Sequence, residues 1–233
     1  MDIGDKTQRF DRRSLLVRSV GLGAAAAFAG PVAPLIARTD RRADLLPDAK
    51  VVASRGLDPA DLNLTQAAAL LRAGMLSSRE LTEACLLRIE QRDAPINAWA
   101  RIYAERARAA AGSADRRLRG QTSAPPRSLL VGVPLGLKEI YAVHGELLTA
   151  GSKILAENRP TADSPAWSRF DRAGAVLIGH TETHEFAAGN FTPQSANPWD
   201  PSRTPGGSSG GSAITGTRRR ERGLGVSRLS DRL

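Results

Sequence analysis

Pro205-Gly206-Gly207-Ser208-Ser209-Gly210-Gly211-Ser212-Ala213 is the stretch on which the reading of this 233-residue chain turns. By composition alone it is a flexible glycine/serine linker. Its lead-in, Asn197-Pro198-Trp199-Asp200-Pro201-Ser202-Arg203-Thr204, is built from rigid and specific residues that a linker does not need. Paired glycines let backbone approach a ligand closely and take dihedrals that other residues resist. Serines in such a loop relay protons or donate to a developing oxyanion. About seventy residues upstream, Lys138 follows an uncharged segment, residues 129–137. Burial there disfavours the ammonium ion and favours a neutral amine able to accept a proton. Taken alone, Lys138 reads as a snorkelling lysine at a strand end or as a partner for Glu139. Taken with the glycine-serine run, it reads as half of a catalytic centre.

The net charge of +9 invites a nucleic-acid function, but its distribution argues against one. Residues 1–42 carry eight Lys/Arg against four Asp/Glu, and residues 218–233 carry six against two. The body between them holds 19 basic and 18 acidic groups, so the basic excess sits at the two ends. A nucleic-acid footprint needs a basic patch on a folded face, ideally with stacking aromatics, and aromatics make up only 4% of the chain. Cys85 is the only cysteine, which leaves no intramolecular disulfide and no cysteine-based zinc site. Its place in an apolar helical pattern marks it as a small buried hydrophobe rather than a reactive thiol.

Phe10-Asp11-Arg12-Arg13-Ser14-Leu15-Leu16 sets paired arginines directly before an alanine- and glycine-rich stretch, residues 20–36. This resembles a bacterial twin-arginine export signal, although Asp11 and Leu15 depart from the usual residues. An uncleaved membrane anchor is the alternative. Three glycines and two prolines within residues 20–37 weaken a spanning helix. Residues 1–37 are therefore expected to be a signal segment, with transient export machinery as partner and an extracytoplasmic location.

The rest alternates helix and strand. Residues 64–75 read as a helix. Ser77-Ser78-Arg79-Glu80 offers a cap with an early acid, and Leu81, Ala84, Cys85, Leu86 and Ile89 form an apolar stripe ended by Pro95. A short strand over 96–102, an Arg-rich helix over 103–118 and a proline-containing loop over 121–127 are expected next. A buried strand or apolar wall over 129–137, a helix over 165–174 and a strand over 175–178 complete an α/β pattern with a partly parallel sheet.

Several segments occur in order: residues 132–139 (GVPLGLKE), Thr149-Ala150-Gly151-Ser152, residues 173–179 (AGAVLIG), Glu185-Phe186-Ala187, Asn197-Pro198-Trp199-Asp200, and the glycine-serine run. Together they resemble the N-terminal half of an amidase signature enzyme, over about residues 60–213. The resemblance implies an α/β fold with a mixed sheet flanked by helices. It also implies hydrolysis of carboxylic amide C–N bonds in small molecules, without metal or cofactor. In that family a lysine, a serine joined through a cis peptide and a second serine form the triad. Lys138 matches the lysine and Ser208 the cis-peptide serine, so protons would run from nucleophile to Ser208 to Lys138 and on to the leaving amine. Gly206, Gly207 and Ser209 are assigned to substrate contact. Glu139, His180 and Glu182 depart from the common pattern of Asp, Lys and Asn. Composition also leaves a Ser-His-Asp arrangement open, through His144, His180 or His184.

The family's nucleophile is implied roughly two dozen residues past Ser208, in a glycine-rich motif of its own, where Gly permits close backbone approach. The sequence from residue 217 is instead Arg-, Gly-, Leu- and Ser-rich, and no such motif occurs. The expectation is a domain over 38–215 lacking the C-terminal half of the fold, followed by an aberrant tail over 216–233 from a truncation or frameshift. Such a chain is expected to expose apolar faces and to lack amidase activity. A non-catalytic binding protein and an amidotransferase A-subunit-like protein are the alternatives.

Overall fold

A computed structural model describes residues 45–122 and 128–216. The expected signal segment and the expected aberrant tail from residue 217 onward lie outside these residues, as do 123–127 of the proline-containing loop.

The first helices are set by their caps. After the short α1 (Ala49–Ala53), α2 (Leu64–Arg72) begins at Asn63, whose side chain accepts from the Gln66 amide while Gln66 reaches back to the Asn63 amide. Ser77 and Glu80 make the same reciprocal pair at the start of α3 (Ser78–Arg92), as the sequence indicated. The free amides of that first turn have a further partner. Asp115 of α4 (Ala104–Leu118) accepts from the amides of Ser78 at 2.7 Å and Arg79 at 3.2 Å. One buried carboxylate thus joins α4 to the electropositive end of α3.

Three strands form one mixed sheet in the order β1 (Trp99–Ile102), β3 (Val176–Thr181), β2 (Pro134–Lys138). β2 runs parallel to β3, with α5 (Pro165–Arg172) in the connection between them, and β1 runs antiparallel to β3 on its other side. Because strand side chains alternate, the central strands feed both faces. Leu135, Leu137 and Leu177 pack with Trp167 of α5. Val133 and Ile178 join Leu70, Leu81, Cys85, Ile89 and Trp99 on the opposite face. Val176 meets Ala107 and Ala111 of α4. The apolar stripe read on α3 is therefore core. Burial pushes the Cys85 thiol up to about 12, which leaves it inert.

Three expected strands change length. The segment 129–137 is extended only from Pro134. Gly132 takes φ +79° and packs so tightly that a Cβ would lie 2.9 Å from that of Ser78, so a turn precedes the strand. The strand expected over 96–102 starts at Trp99, because Asn97 takes φ +51° and the Asp93 side chain accepts from the Ala98 amide. β3 continues past Ile178 to Thr181, buried throughout, since β2 and β1 pair with it along that whole length. Among the described residues no helix is long and apolar enough to cross a membrane.

Candidate active site

Parallel pairing of β2 with β3 brings Lys138 level with Thr181 at the carboxyl ends of both strands. This is the end of an open α/β sheet at which ligands bind. The glycine-serine run passes here, and the Lys138 ammonium Nζ donates to Ser208 Oγ at 2.7 Å. Burial of the half-enclosed Lys138 lowers its pKa from the ordinary lysine value, so the neutral amine is more accessible than on an exposed lysine. Lys138 does not pair with Glu139. The Glu139 carboxylate is turned to Arg101, its salt-bridge partner, and to the Thr149 hydroxyl at 2.8 Å.

The run is not a linker. The Gly207–Ser208 peptide is cis. The Ser208 carbonyl accepts from the His184 amide and from Thr183 Oγ1, both at 3.0 Å. Thr192 holds the loop from the other side: its amide donates to Gly206 O at 3.0 Å and its hydroxyl accepts from the Gly210 amide at 2.9 Å. Gly207 lies against the Phe191 backbone, where a Cβ would approach to 2.6 Å, so its lack of a side chain is a packing requirement. Past Ser208 the chain enters α6 (Gly210–Thr215), pinned to β3 by the Ser212–Thr181 hydroxyl contact at 2.8 Å.

Of the residues assigned to substrate contact, Gly206 takes φ +84° at the turn into the cis peptide and Gly207 is exposed beside it. Ser209 is half-buried and precedes α6, with its carbonyl accepting from the Ala213 amide. None of the three histidines hydrogen-bonds a serine hydroxyl among the described residues. His180 lies fully buried between the Tyr103 hydroxyl and the Tyr141 carbonyl, His184 Nδ1 contacts the Glu185 carbonyl, and His144 is exposed. A Ser-His-Asp arrangement therefore does not form among these residues. No group of three His, Cys, Asp or Glu side chains among them is placed to hold a metal ion.

Thr181, Thr183 and Thr192 were not singled out in the sequence, although they fix the serine loop. For Thr181 and Thr183 the local signal is the alternation Thr181-Glu182-Thr183 at a strand end, which places two hydroxyls on one side. A cleft of about 540 Å³ lies beside the loop, lined by residues that include Ile96, Asn97, Phe191, Gln194 and Arg203. Neither Lys138 nor Ser208 lines it, and Asn97, Gln194 and Ser195 spend their side chains on backbone carbonyls.

In this α/β fold a lysine at one end of a mixed sheet is hydrogen-bonded to a serine on a glycine-rich loop that contains a cis peptide. The chain belongs to the amidase family, whose pattern matches residues 80–216, more than half of its length. It is 47% identical over 158 residues to the A subunit of the glutamyl-tRNA(Gln) amidotransferase of Chloroflexus aggregans, covering 65% of this chain and 32% of that protein. Among solved structures it is similar to the native peptide amidase of Stenotrophomonas maltophilia, with 32% identity and a TM-score of 0.59, covering 66% of this chain and 34% of that one. A bacterial aryl acylamidase of the amidase signature family gives a TM-score of 0.61 at 26% identity, covering 66% of this chain and 33% of that one. The chain spans about a third of the length of the relatives it matches.

Proposed function

We propose that these residues supply the base and the relay of an amidase centre: Lys138 as general base and acid, and Ser208 as proton relay. The observation that carries this reading is the 2.7 Å contact between Lys138 Nζ and Ser208 Oγ. With the amine neutral, Nζ takes the Ser208 proton while Ser208 Oγ takes one from an attacking serine. The proton then returns along the same path to the amine that leaves the amide. Gly206, Gly207 and Ser209 line the approach of a small-molecule amide. No serine after Ser208 stands in a glycine-rich setting at the spacing the family implies. These 233 residues are therefore assigned the base and the relay, and no nucleophile is named among them.

The purified 233-residue chain is expected to show no hydrolysis of simple aryl or alkyl amides above the uncatalysed rate, and no labelling by a serine-directed fluorophosphonate. Covalent labelling of Ser208 or any other serine, with turnover, contradicts this assignment. A second reading is favoured by the 47% identity to an amidotransferase component: the site would then belong to the amide-cleaving member of a larger assembly. The twin-arginine-like residues 10–16 support the exported amidase instead. Cell fractionation separates the two: recovery outside the cytoplasm supports the exported enzyme, and retention inside it supports the amidotransferase reading.

A further inference from the structure

Building on the reading of Lys138 and Ser208 as base and relay, we propose that Glu139, held in place by Arg101, is a positioning residue that fixes both members of the Lys138–Ser208 contact. Glu139 directly follows Lys138 and is 1% exposed. Its amide donates to the Thr181 carbonyl at 3.1 Å, so β2 stays attached to β3 one residue beyond the lysine. Its carboxylate forms a salt bridge with Arg101, which lies on β1, the strand on the far side of β3. The ion pair thus ties together two strands that do not touch each other in the sheet.

The same carboxylate accepts from the Thr149 hydroxyl at 2.8 Å, and Thr149 opens the turn that seats the serine loop. The Ala150 carbonyl accepts from the Phe186 amide at 2.8 Å. Gly151 packs so closely on the Thr183 carbonyl that a Cβ would lie 2.8 Å away. Thr183 and His184 in turn donate to the Ser208 carbonyl. From Glu139 one path therefore runs through a single peptide to Lys138, and another through Thr149, Ala150 and Thr183–Phe186 to Ser208. A buried carboxylate is costly unless it is both paired and hydrogen-bonded. Here the ion pair and the threonine hydroxyl together select one geometry for the strand end and the turn. Glu182 lies within electrostatic reach of Glu139, Asp93 and Arg101, and Arg101 is the cation of this group.

Competitive acetylation of the intact 233-residue chain at pH 8 tests this. Lys138 is read by mass spectrometry against exposed Lys50 and Lys153, and emission from buried Trp99 and Trp167 reports the folded core. Ser208→Ala is expected to label Lys138 about tenfold faster than the parent, the effect of removing one buried hydrogen bond. Glu139→Gln and Thr149→Val are expected to approach that rate, at about fivefold or more, with tryptophan emission unchanged. Arg101→Lys, which keeps the charge, should stay within about twofold of the parent. Thr149→Val removes only a hydroxyl and decides the matter if Glu139→Gln unfolds the chain. If Glu139→Gln and Thr149→Val both label like the parent while Ser208→Ala labels faster, the positioning role is overturned and the relay reading stands. If Ser208→Ala itself changes nothing, the contact is absent and both fall.

Discussion

Gly211→Ala is expected to destabilise the folded chain by about 3 kcal/mol or more. A Cβ at Gly211 would lie 2.3 Å from the Ala98 carbonyl oxygen, 2.4 Å from the Glu182 amide nitrogen and 2.9 Å from the Glu182 carbonyl oxygen. All three are backbone atoms already held by hydrogen bonds. The Glu182 amide donates to Ala98 O at 2.9 Å, and the Gly211 amide donates to Glu182 O at 3.2 Å. No rotamer can relieve such a clash, so α6 must separate from β3 and the segment before β1. The Ser212–Thr181 contact and the seating of Ser208 go with it. Gly112→Ala is the matched control. It lies inside α4, and the nearest atoms belong to the flexible end of Arg79, at 3.4 Å. There the helix preference of Ala over Gly is expected to give up to about 1 kcal/mol of added stability. Denaturant midpoints of the two variants should move in opposite directions from the parent, and a Gly211→Ala midpoint equal to the parent's contradicts the close approach described.

Glu182→Gln is expected to stabilise the chain above neutral pH and to flatten its pH dependence. Burial, then the nearby Glu139 carboxylate, raises the Glu182 pKa from the ordinary 4.5 to about 7. Between those values the folded state holds a proton that the unfolded state has released. Stability therefore falls as pH rises through this window, and the penalty is complete above about pH 7. The partly exposed carboxyl is screened by solvent, which brings the effect to about 1–2 kcal/mol. The neutral amide carries no such penalty. Thermal midpoints of parent and variant should converge near pH 4.5 and separate by pH 8, with the variant higher. A constant gap across that range would show that Glu182 does not titrate as its surroundings dictate.

What the sequence made legible follows from locality. The capping pair Ser77/Glu80 and the apolar stripe through Leu81, Cys85 and Ile89 are contained within one helix, and both appear as read. The lysine at a strand end and the serine of the glycine loop were legible through ordered motifs, and the structure brings them into contact 70 residues apart. The start of β2 was not legible, because apolar residues 129–133 support a strand and a packed turn equally well. There Gly132 against Ser78, an encounter 54 residues apart, decided the outcome. The fate of Glu139 was hidden for the same reason. Its neighbour Lys138 was the obvious partner in one dimension, whereas the sheet order offered Arg101 in three. Thr183 and Thr192 were missed because their work is to hold a backbone carbonyl and an amide, which demands only a hydroxyl at the right place.

Lys138 and Ser208 form a hydrogen-bonded pair, and burial brings the neutral amine closer to reach than on an exposed lysine. The direct measurement is a pH titration of the lysine side chains by carbon-13 NMR on the intact chain. Lys138 should titrate below the ordinary lysine value, the direction that its burial imposes. In Ser208→Ala its resonance should move while those of Lys50 and Lys153 stay in place. A Lys138 that titrates at or above the ordinary lysine value, and does not respond to Ser208→Ala, would rule out the pair.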